Sequence, residues 1–223
     1  MNKIYIATLL FLPFVNVFSQ SLKIEYEVQF KSQKPKEIAG SEDFKKKIIE
    51  TDNQPQKHIL TYSDGNSVYE SFPPPIIYDT KESDIVDVTK MYKNSYQIQS
   101  IKLFKFKDQP GAYSYKKTKN EEFYEYLIPI FNESKKLEGD DKILNYPCKI
   151  IEVVLSNHKK AKVWYTDELP IKTGPMSYFN FPGVVLRVET DFMTVTTKNI
   201  ENISSNIELE TMNKNLKVYE KAK

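Results

Sequence analysis

The chain has 223 residues, 32 Lys+Arg against 30 Asp+Glu, a net charge of +2 and a single cysteine. Near-balanced charge without a long like-charge block argues against a nucleic-acid or anionic-membrane patch. One cysteine excludes an internal disulfide, so stability has to come from buried apolar area, for which ~200 residues suffice. Aromatics make up 13% of the chain while glycine numbers six, a balance that favours strands over low-complexity disorder or a glycine-rich phosphate loop.

Lys3, the apolar run Ile4 to Phe18 and the small residue Ser19 have the layout of a secretory signal peptide. Cleavage after Ser19 is expected, leaving Gln20 first. The run falls short of the ~20 apolar residues that a membrane span needs, and Pro13 and Asn16 interrupt it. No cysteine stands nearby to carry a lipid. The expectation is an exported product with no transmembrane segment after cleavage, organised as one β-rich domain over 20–211 and a fraying tail over 212–223.

Leu22 to Phe30 alternates apolar and polar residues with period two and predicts a strand with one buried face. SEDFKKKIIE, residues 41–50, predicts a short helix capped by Ser41, with Phe44, Ile48 and Ile49 on one side. Its three lysines read as a solvated face. Asp64-Gly65 predicts a hairpin turn between His58–Tyr62 and Ser67–Phe72. Pro73-Pro74-Pro75 breaks regular structure, and the polar stretch to about Asn94 reads as a long surface excursion. Strands return from Tyr96 to Asp108, after the Pro110-Gly111 turn, and over Phe123–Phe131, where Pro129 marks an edge or bend. Further strands are expected at Lys149–Leu155, Ala161–Tyr165, Val184–Thr190 and Met193–Ile200. The sum is an all-β fold: a strongly curved or half-closed antiparallel sheet with one short helix and long loops.

The loop between Tyr165 and Val184 carries two Gly/Pro pairs in opposite order, Gly174-Pro175 and Pro182-Gly183, around Met176, Tyr178, Phe179 and Phe181. Phe181-Pro182-Gly183-Val184 predicts a type II turn, with positive φ at the glycine. That turn would set Val184, Leu186 and Val188 on one face and Val185, Arg187 and Glu189 on the other. The loop's own aromatics have two readings: a plug over the end of the sheet, or the lining of a ligand mouth or partner surface.

YPCKIIEVVL followed by KVWYTDELPIKTGPMSYFNFPGVVLRVE resembles the GLPGLI family of exported bacterial proteins. The six-residue motif falls on Asn180 to Val185. Pro182 and Gly183 match, Asn180 stands for the first glycine and Phe181 for the leucine. Gly174-Pro175 matches the upstream pair, Trp164 the aromatic strand end, and Cys148 the cysteine of the family's tyrosine–cysteine segment. The resemblance covers about Lys142 to Glu201. It implies an exported protein at the periplasm or cell surface of a Gram-negative bacterium and brings no activity with it.

Catalytic and metal signatures are sparse. There is no G-x-S-x-G elbow. The two histidines, His58 and His158, stand far apart without a metal-ligand pattern. His58 opens a strand and is read as half buried, His158 as a solvated turn residue. Glu138-Gly139-Asp140-Asp141 lacks calcium-loop spacing and reads as a polar turn. Glu121-Glu122 and Asp167-Glu168 would need to oppose each other across a cleft to act as a glycosidase pair. The lysines and aromatics of residues 101–117 alternate as in any amphipathic hairpin, with lysine outward. Cys148 reads as a small buried residue. No catalytic residue, metal or cofactor is expected. The expected function is a non-enzymatic envelope protein that binds an amphiphile in a sheet groove, the alternatives being a protein–protein accessory of a transporter or secretion system, and an unrecognised hydrolase.

Overall fold

The computed structural model describes residues 21–31, 54–72, 100–169, 171–203 and 207–220, with Glu42, Lys46 and Glu50 between. Those three are helical and exposed; the rest of the expected 41–50 helix, the expected leader over 1–19 and the excursion after Phe72 lie outside the described residues.

The twelve strands are β1 (Ser21–Phe30), β2 (Gln56–Ser63), β3 (Asn66–Phe72), β4 (Lys102–Lys105), β5 (Ala112–Lys117), β6 (Glu122–Leu127), β7 (Phe131–Ile143), β8 (Tyr146–Leu155), β9 (Lys160–Thr166), β10 (Val184–Glu189), β11 (Met193–Ile203) and β12 (Lys217–Glu220). They form one open sheet in the order β12-β6-β5-β4-β3-β2-β1-β11-β10-β9-β8-β7. Every pairing is antiparallel except β12 with β6. The all-β, half-closed expectation holds.

The period-two pattern works as read in β1. Leu22, Ile24, Tyr26 and Val28 are fully buried while Lys23, Glu25 and Glu27 are not. The strand sits at the middle of the sheet, between β2 and β11. Asp64 and Gly65 take φ of 50° and 85° in the β2–β3 turn, as the hairpin requires.

The expected strand Phe123–Phe131 is two strands. β6 ends at Leu127 and β7 begins at Phe131, yet the two lie at opposite ends of the sheet order, with only β12 beyond β6. Four residue steps reach at most about 14 Å. The link through Pro129 therefore draws the two ends of the sheet together and makes it curl. Antiparallel ladders leave no room for a proline nitrogen in the middle, which is why the break falls here.

Curling defines an inner face. It carries the main core: Leu22, Ile24, Tyr26, Val28, Leu60, Tyr69, Leu103, Val153, Val163, Val185, Val188 and Val195, among others. A smaller cluster, Val68, Phe104 and Tyr124, packs on the outer face of β3–β6. Leu209, Met212 and Leu216 cover it from the C-terminal segment. The tail read as fraying over 212–223 includes strand β12 at Lys217–Glu220. That segment straps the outer face and ends as the edge strand β12.

β10 departs from the expected alternation. Val185 pairs with Tyr165 and Val188 with Val163, with a register shift between Val185 and Arg187. Tyr165 and Val163 share a face, so Val185 and Val188 do too. The bulge at Leu186 lets Val184, Val185, Leu186 and Val188 all be buried. Side chains satisfy the carbonyls this frees: the Tyr26 hydroxyl donates to Val185 O at 2.9 Å and Thr197 Oγ1 to Leu186 O at 2.7 Å.

Candidate functional site

The loop between β9 and β10 folds inward. Met176, Tyr178, Phe179 and Phe181 are 6%, 3%, 2% and 6% exposed. Phe131 stacks on Tyr178 with centroids 6.3 Å apart and lies 5.2 Å from Phe181, which also stacks on Tyr165 at 6.2 Å. Of the two sequence readings, the geometry is that of the plug. The loop also reaches across to the other half of the sheet. Thr173 Oγ1 lies 3.2 Å from Ser67 Oγ of β3, Lys105 of β4 sits over the Phe179 ring at 5.6 Å, and Asn180 Nδ2 donates to Pro110 O at 2.7 Å. It is a tie between the two ends of the curl as much as a lid.

The glycines of the Gly/Pro frame serve close approach. Gly183 has no positive φ, so the type II turn is not what forms there. A Cβ at Gly183 would stand 1.8 Å from Thr166 O, and one at Gly174 would stand 2.1 Å from Tyr178 O. Positive φ falls instead on Asn180 at 69° and Met176 at 52°. Asparagine tolerates that region, which accounts for Asn180 where the resembling motif has glycine.

Trp164 lies on the outer side of β9. Its indole Nε1 donates to Asp141 Oδ2 at 2.9 Å, and the Arg187 guanidinium covers its ring at 4.8 Å. Cys148 is buried beside this group, its Sγ 3.5 Å from Tyr146 O. Burial pushes the thiol pKa up to about 11, so the thiolate that a nucleophile requires is scarce. Glu138 to Asp141 is not a turn but the bulged middle of β7, where the register shifts between Leu137 and Asp141.

His58 is fully buried, deeper than its sequence position implied, with Nδ1 2.6 Å from the Tyr69 hydroxyl. Burial lowers its pKa to about 4, which keeps the ring neutral. His158 sits exposed at the β8–β9 tip, with φ 62°. Asp167 pairs with Lys149 at 2.5 Å on the surface. Among the described residues no three His, Cys, Asp or Glu side chains gather as a metal site, and no helix is long and apolar enough to cross a membrane.

A recess of about 310 Å³ lies elsewhere, between the outer face of β4–β6 and the C-terminal strap. Lys102 and Phe104 of β4, Tyr115 of β5, and Glu122 and Tyr124 of β6 line one side; Glu210, Asn213 and Leu216 line the other. Pairing puts Lys102 and Phe104 on the same outer face and sends Lys105 inward with Leu103, so the 101–117 segment does not simply turn its lysines outward.

Each wall is held in place. Lys102 Nζ binds Glu70 Oε1 at 2.9 Å and also Glu210. The Asn213 backbone N–H donates to the Tyr124 hydroxyl at 3.0 Å, and Lys117 pairs with Glu122 at 2.6 Å. Bonds to Lys117 and Tyr115 hold Glu122 below the usual carboxylate range. The arrangement offers aromatic surface with both charges at its rim, and no paired acid and base aimed at a common point. The sequence signal for the strap is Leu209, Met212 and Leu216, spaced apolar residues in a mostly polar segment.

With the fold in view, comparison with known proteins is informative at that level. Two solved structures, of PNGF-II in the C2 and P21 space groups, superpose on 91% of this chain. Their TM-scores are 0.54 and 0.57 at 16% and 15% identity. This chain spans about a third of their length, 31% and 32%, and the likeness is one of fold. Residues 90–187 match a family described as a protein of unknown function, Porph_ging; the match takes in the plug loop and the β4–β6 side of the recess. A search of curated proteins found no match.

Proposed function

We propose that this is a non-enzymatic, exported envelope protein of the GLPGLI type that binds an amphiphile, and that the ligand lies in the outer recess under the strap. The recess carries the reading: rings from three strands face an apolar strap residue, Leu216, with charged groups around the opening. The aromatics expected to line a mouth on the inner face are all packed as core, whereas the recess keeps one partly exposed ring, Tyr115, above the buried Phe104 and Tyr124. The Gly/Pro motif in the matched stretch supports the family assignment, and the apolar leader supports export. Mass spectrometry of the protein purified from its own envelope should find a co-purifying amphiphile. The protein is then titrated with single-chain amphiphiles below micelle formation, with the Tyr115 and Tyr124 amides followed by NMR. A protein that carries no apolar species, and whose recess amides stay still in every titration, overturns the reading.

A second reading, a protein–protein accessory, draws on the edge strand β12, where Val218 and Tyr219 are 50% and 41% exposed. Pull-down from envelope extracts with and without Val218→Lys distinguishes it: loss of one specific partner in the variant supports it, and unchanged capture counts against it.

A further inference from the structure

We infer that the recess selects the charge of its amphiphile and takes one with an ammonium head group. The inference rests on the function proposed above and adds to it the chemical class of the ligand.

Three observations carry it. First, the rings make a corner, not a stack. Phe104 and Tyr124 lie 5.8 Å apart at 85°, and Tyr115 and Tyr124 lie 5.8 Å apart at 58°. Ring faces are negative and attract a cation; Phe104 and Tyr124, each 3% exposed, form the floor, and the partly exposed Tyr115 is the ring a ligand meets. Second, the surrounding carboxylates exceed the ammonium groups that contact them. Glu70 and Glu210 share Lys102, and Glu122 holds Lys117. An anionic head would meet Glu122 and Glu210 at the rim, where Lys102 and Lys117 are both already paired with carboxylates. Third, the protein already shows how this place treats an ammonium. The Lys102 Nζ rests between two carboxylates and 5.7 Å from the centroid of the Phe104 ring. Burial alone would lower the Lys102 pKa, but its bonds to Glu210 and Glu70 raise it, so the setting favours the charged form. Tyr115, half exposed beside Glu122, offers a second ring and carboxylate of the same kind.

The test compares dodecyltrimethylammonium, dodecyl sulfate and a dodecyl glycoside below micelle formation, with tetramethylammonium as the head group alone. Binding to the full chain is read by calorimetry and by the amide shifts of Tyr115 and Tyr124. The cationic amphiphile is expected to bind about tenfold more tightly than either of the others. Tyr115→Leu keeps apolar bulk and removes the ring. It should weaken cationic binding about five- to tenfold and change glycoside binding less than twofold, the range that cation–π contacts span. Glu122→Gln should weaken the cation about threefold, an effect that added salt erases. Equal binding of all three amphiphiles, or preference for the sulfate, overturns the charge selection and leaves the amphiphile site standing. No binding at the recess by any of them sinks the site itself. Tetramethylammonium binding as tightly as its long-chain form overturns the amphiphile and leaves a bare cation site.

Discussion

The two sides of the sheet are finished differently. Around β8–β11 the inner face is closed: Val185 and Val188 of β10 are fully buried on it, and Met176, Tyr178 and Phe181 of the plug belong to the same core cluster. Around β4–β6 the outer face is covered by a strap whose contacts are a few apolar side chains, ion pairs at the surface and a four-residue parallel strand. The first cover leaves no room to move without opening the core. The second holds by weak, separable contacts and leaves a recess. The contrast assigns stability to one region and, under the proposed function, recognition to the other.

That contrast can be broken or sharpened, beginning where the effect is largest. Gly183→Ala puts a methyl into the Thr166 carbonyl; it should cost more than about 4 kcal/mol or prevent folding, beyond the ordinary range for single substitutions. Urea melts of purified variant decide it, and a loss below about 1 kcal/mol would show that the strand entry adjusts easily. Phe181→Ala leaves a cavity between Phe131 and Tyr165 and is expected to cost about 3–5 kcal/mol while ligand binding at the recess is kept.

Third comes pH. His58 has a folded pKa of about 4 against an ordinary 6.5. Between those values the unfolded chain binds the proton and the folded chain does not, so stability rises with pH. It is intact above pH 6.5 and falls by up to about 3 kcal/mol as pH drops towards 4. Chemical melts across that window should show the slope in the natural chain and lose most of it in His58→Asn. An unaltered slope would place the titration elsewhere. The smallest effect belongs to the strap: Glu210→Gln should cost under about 1 kcal/mol, as a surface ion pair does. It should nevertheless speed hydrogen exchange in 209–220 ahead of the sheet, whereas exchange that quickens only with global unfolding would make strap and core one unit.

The strands were legible because alternation is a local signal: β1, the β2–β3 hairpin and the β9–β10–β11 succession follow from spacing and turn residues. What the sequence could not carry was set by partners far along the chain. The bulge at Leu186 depends on hydroxyls from Tyr26 and Thr197, and no local pattern announces it. Gly183 looked like a turn glycine because Pro-Gly is turn chemistry, but its need comes from the carbonyl of Thr166. β7 was missed over much of its length because its residues are charged, the usual covering of an open edge. The aromatic loop admits two readings from its sequence, and its burial is that of a plug. The recess is not legible in the sequence, since its far wall is a segment whose apolar residues count only once β3–β6 turn an aromatic face towards them.

β1 is the first strand of the described chain and the central one in the sheet, with β2 close by on one side and β11 on the other, Ser21 lying opposite Ile203. A chain that emerges from its N-terminus therefore exposes the central strand of its core, paired on one edge only, until nearly all the rest has followed. Such distant pairing is slow to form, and the waiting edge invites association with other chains. Synthesis or translocation halted before Met193 should leave a product that aggregates rather than a smaller folded domain, and whatever handles this protein before it is complete has that strand to shield.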